Sequence, residues 1–97
     1  MLTHEEILIV KKYQMLKIPT IYKMDDTSNL LFIEDVDFDI CPALIKSKKF
    51  KQQEVEEITK KYATFLSQVS IVALDEDALY HFKVLNDVMS IFFKYNL

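Results

Sequence analysis

Glycine is absent from this chain of 97 residues, where ordinary usage of about 7% would supply roughly seven. Glycine lets a backbone approach a phosphate closely and occupy positive φ without a steric penalty. Its absence excludes a P-loop, a GxGxxG dinucleotide turn and a glycine-flanked nucleophile elbow. Arginine is missing too: all 12 basic residues are lysine, and there is no tryptophan. No guanidinium fork is on hand to grip a phosphate or carboxylate bidentately. An A+T-rich coding sequence would deplete Gly, Arg, Trp, Ala and Pro together; the chemical exclusions hold whatever the origin.

Other features are scarce. A lone cysteine, Cys41, cannot close an internal disulfide and gives no sign of an oxidising compartment. Two histidines, His4 and His81, come without CxxC or HxxxH spacing, so no metal and no cofactor is expected. His81 reads as a satisfied or exposed histidine, and Cys41 as a buried inert thiol rather than a nucleophile paired with His81. No serine sits in a nucleophile context, and the chain reads as a non-enzyme. The longest charge-free stretch, residues 62–74, is 13 long, against about 20 needed to span a bilayer. Acids stand at Glu5 and Glu6, where a signal peptide carries lysine or arginine. The expectation is one cytoplasmic domain over residues 1–97, with no membrane partner. A net charge of −3 argues against general nucleic-acid binding, which needs a positive field.

Apolar residues are plentiful at 51%, with five tyrosines and seven phenylalanines. Either the core is unusually aromatic or a partner covers some apolar surface. Thr3 to Lys17 predicts a helix, with Thr3 and Glu6 as a capping box and Pro19 as the stop. Ile18–Met24 and Leu30–Ile40 read as two strands joined through the turn formers Asp25–Asn29, where Asn29 or Asp26 could take left-handed backbone in glycine's place. Pro42 would end the second strand. Glu54 to about Val72 predicts a helix whose seam is Val55, Ile58, Tyr62, Phe65, Val69 and Val72. Residues 69–74 are β-branched enough for a third short strand instead. Asp75 caps a last helix with the seam Ala78, Phe82, Leu85, Met89 and Phe92. The fold class these elements imply is α+β: an N-terminal helix, a β-hairpin, then an antiparallel helical pair packed on the sheet.

Three features are candidates for function. In a strand, Asp35, Asp37 and Asp39 would form a ladder of like charge on one face, about 6.6–6.8 Å apart. Such a ladder serves as a solvated anti-aggregation face or as a docking strip for a basic protein. Lys46, Lys48, Lys49 and Lys51 form a basic cluster beside Phe50. It would serve a nucleic-acid-associated dimer, remain solvated, or pair with the aspartates. Ile91, Phe93 and Tyr95 lie off the last helix's seam, as core or as apolar anchors for a partner. The functional expectation is a small protein-binding module acting by stoichiometric contact without turnover. Inhibitors, immunity proteins and host-modulating proteins share this profile by analogy of type alone. The partner would be another protein, or a second copy in a homodimer.

Overall fold

The computed structural model describes residues 1–23 and 27–97. Helix α1 spans His4–Met15. Its N-terminal amides are satisfied as the sequence predicts. Thr3 Oγ1 accepts from the Glu6 amide at 3.2 Å, and Glu6 Oε1 accepts from the Thr3 amide at 2.8 Å. The backbone is already extended at Leu16, three residues before Pro19, consistent with the restriction proline places upstream. A 3-10 turn, Thr20–Lys23, then buries Tyr22.

The β-hairpin does not form, and the α+β expectation with its sheet is overturned. Among the described residues there is no strand. The first supposed strand is an irregular stretch and the 3-10 turn. Met24, Asp25 and Asp26 of the expected strand and turn lie outside the described residues. The second strand is part of one helical rod: α2 (Thr27–Asp35), a π turn (Val36–Ile40) and α3 (Cys41–Ile45). Asn29 is an ordinary helical residue within it.

The physical reason lies in burial over a longer window than the alternation Asp-Val-Asp-Phe-Asp-Ile occupies. Ile33, Val36, Ile40 and Leu44 are 2% exposed or less, whereas Phe38 is 69% exposed. Spacings of three, four and four are helical, and each aliphatic side chain taken out of water is worth about 1.5–3 kcal/mol. Strand propensity spans only about 1 kcal/mol and yields to that burial. Pro42 does not terminate the element either. The Cys41 amide bonds to the Val36 carbonyl five residues back, and this wider turn places Pro42 in the first turn of α3. There a missing amide costs least.

Helices α4 (Gln52–Gln68) and α5 (Glu76–Asn96) form the predicted antiparallel pair. Tyr62 meets Phe93 and Phe65 meets Phe82, with ring centroids 5.9 and 6.1 Å apart, and Phe50, just before α4, meets Phe92 at 5.3 Å. The α5 seam Ala78, Phe82, Leu85, Met89 and Phe92 is wholly buried. Helix α4 stops short of Val72, which is 96% exposed. The alternative strand at 69–74 is absent as well. Ile71–Ala73 make a 3-10 turn, with no strand among the described residues to pair with their β-branched backbone. Asp75 caps α5 by accepting from the Ala78 amide at 2.8 Å.

Helix α1 lies antiparallel on α5. Tyr13 packs on His81 at one end. At the other, Lys94 Nζ and Tyr95 Oη donate to Glu6 at 2.9 and 2.6 Å. Rod α2–α3 closes the other side, with Phe32 against Tyr62 and Phe65 of α4.

Candidate docking groove

A helix brings residues four apart to one face, whereas a strand brings every second residue. The three aspartates accordingly part company. Asp35 and Asp39 face α4, and the Asp35 carboxylate accepts from Lys61 Nζ at 2.9 Å. That bond, more than any other effect, raises the Lys61 ammonium; the charges of Glu57 and Asp39 add to it. Asp37 turns the other way, half-buried, where its charge acts on Tyr13 and Cys41. Loss of water, reinforced by the charge of Glu34, pushes Asp37 up to about 6.

Between rod α2–α3 and α4 runs an open groove of about 520 Å³. Ile40, Ala43, Phe50 and Ile58 supply apolar lining. Asp35 and Asp39 line it from the rod, and Glu54, Glu57 and Lys61 from α4. Lys46 and Lys48, from the connection beyond α3, line it as well. The most exposed of its apolar residues is Phe38, on the π turn.

A left-handed residue separates the two lysines that line the groove. Ser47 has φ of 56°, the one positive value among the described residues. The Lys48 amide bonds to the Ala43 carbonyl at 2.9 Å and the Ser47 amide to the Leu44 carbonyl at 3.1 Å. This is a Schellman cap with serine where glycine is usual. Among the described residues, left-handed backbone occurs at the end of α3 and not at Asn29. The remaining lysines of the cluster diverge. Lys49 Nζ donates to the Tyr95 carbonyl, and the Lys51 amide, at the start of α4, donates to Glu54 Oε1 at 3.0 Å. The cluster is thus split and interleaved with acids.

The expected apolar anchors lie largely inside. Ile91 is 6% exposed in the core, Phe93 is partly buried against Tyr62 and Phe92, and Tyr95 ties α5 to Glu6. Tyr95, Thr3 and Lys94 together hold the Glu6 carboxyl well below its ordinary value, at about 2.

Sequence reasoning passed over Phe38, whose only signal was that it lies off the Ile33–Val36–Ile40–Leu44 seam. It also misjudged His81. The ring is buried between Tyr13 and Tyr22 at centroid distances of 5.0 and 5.6 Å, and neither nitrogen has a hydrogen-bond partner among the described residues. Burial lowers it to about 4. No hydrogen bond joins it to Cys41, whose thiol burial pushes up to about 12.

Among the described residues no helix is long and apolar enough to cross a membrane. No group of three His, Cys, Asp or Glu residues among them is placed to hold a metal ion. No protein-family model, curated protein or solved structure matches this chain.

Proposed function

We propose that this chain is a protein-binding module that acts by stoichiometric contact, and that the groove between rod α2–α3 and α4 is its docking surface. The observation that carries the proposal is Phe38. A phenylalanine 69% exposed stands on a π turn, at the mouth of a groove with apolar lining and charges of both signs. Aromatic side chains that fill a partner's pocket dominate binding energies, while surrounding charges set register and exclude wrong partners. π turns are frequent at functional positions.

Affinity capture from the native host tests it, with wild-type, Phe38→Glu and Asp39→Lys baits beside Lys83→Glu, an exposed control on α5. Retained protein, copies of the chain included, should fall at least about tenfold with Phe38→Glu, as for an aromatic anchor of an interface, and about threefold with Asp39→Lys, as for one exposed ion pair. It should be unchanged with the control. Equal capture by all four baits removes the groove from consideration.

A further inference from the structure

The groove restricts what can lie in it. Asp39, on the π turn, and Lys46, the residue that caps the end of α3, both line it; seven residues apart, they lie about 10 Å from each other at 1.5 Å per helical residue. Lys48 sits beside Lys46, and Phe38 and Pro42 lie on the same lining. An occupant of matching charge carries a base opposite Asp39, an acid about 10 Å away opposite Lys46, and apolar surface between them. Rod α2–α3 itself displays this pattern. Run antiparallel across a two-fold axis near Pro42, a second rod sets its Lys46 against Asp39 and its Asp39 against Lys46. The same operation carries Phe38 of each copy toward the Lys46–Phe50 end of the other. A self-complementary patch of this kind is what a two-fold interface requires.

We infer that the groove's occupant is a second copy of this chain, forming an isologous dimer through rod α2–α3. The inference rests on the groove being a docking surface and names what docks there. Asp35 contributes little, since Lys61 of the same chain already holds it. Asp39 and Lys46 are exposed, so both can be replaced without disturbing the core.

Sedimentation equilibrium from about 1 µM to 1 mM, a range that brackets weak to moderate dimers, tests the inference. The samples are wild type, Asp39→Lys, Lys46→Asp and an equimolar mixture of the two variants, with circular dichroism verifying the fold of each. Wild type should dimerise. Each variant alone should dissociate about tenfold more readily, because a loss of about threefold per exposed pair is squared by the two-fold axis. The mixture should recover. In the mixed dimer the introduced lysine of one copy faces the introduced aspartate of the other, and the second contact keeps its native pair. A monomeric wild type, variants that dimerise as wild type does, or a mixture that fails to recover would each overturn the inference. If wild type is monomeric yet Phe38→Glu still abolishes capture of another protein, the groove stands and only its occupant changes. If capture is also unaffected, both fall.

Discussion

Replacing Ser47 by glycine should stabilise this protein, although no side-chain contact is gained. Ser47 is held at φ 56°, where the Cβ of an L-residue crowds the following carbonyl at a cost of about 1–2 kcal/mol. Glycine removes that strain but brings a more flexible unfolded chain, worth about 0.4–1 kcal/mol in the other direction. The net expectation is a gain of about 0.5–1 kcal/mol. A domain of this size moves in Tm by about 4–8 °C per kcal/mol, so the rise should be about 2–8 °C. Thermal and urea unfolding followed by far-ultraviolet circular dichroism would read both quantities. Ser47→Ala serves as the control, since alanine retains the Cβ and should give no such gain. The reasoning is refuted if glycine fails to stabilise, or if alanine stabilises equally. Ser47→Pro should be strongly destabilising, because proline cannot reach positive φ and lacks the amide that bonds to Leu44.

His81→Phe keeps a ring between Tyr13 and Tyr22 while removing two buried, unpartnered nitrogens, and should add about 1–3 kcal/mol near pH 7 by urea unfolding. The gain should widen near pH 5: the unfolded imidazole takes a proton below about 6.5, whereas the folded one stays neutral down to about 4. Wild type at least as stable as the variant at both pH values would contradict this. For Glu6→Gln, the carboxylate that ties Thr3, Lys94 and Tyr95 together loses its charge, so Tm should fall at neutral pH. Glu6 stabilises the fold fully above its ordinary 4.5, and this contribution disappears as pH falls through about 2. The acid limb of Tm against pH should therefore be flatter in the variant; parallel limbs would show that Glu6 is not the titrating group.

Elements whose signals are local were legible in the chain. The Thr3–Glu6 capping box and the Asp75 cap depend on near neighbours along the chain, and both form as read. The α4–α5 hairpin was legible for a related reason. Each seam repeats at helical spacing over several turns, which no strand could bury on one face. The failure came at residues 30–40, where the segment from Glu34 to Ile40 satisfied both the two-residue and the 3.6-residue periods. Such ambiguity is resolved only by what lies alongside, and here Phe32, Ile33, Val36 and Ile40 had helices to pack on and, among the described residues, no strand to pair with.

The groove depended on that resolution. As a strand, Asp35, Asp37 and Asp39 would have made one acidic face. As a helix with a π turn before Pro42, two of them line the groove together with Lys46 and Lys48 while the third faces Tyr13. The order of residues along the chain determined that caps and seams would make helices near both ends. Tertiary burial decided the middle of the chain and, with it, which charges line the groove. Hydrophobic burial is summed over the whole core, so what settles an evenly balanced segment lies outside that segment.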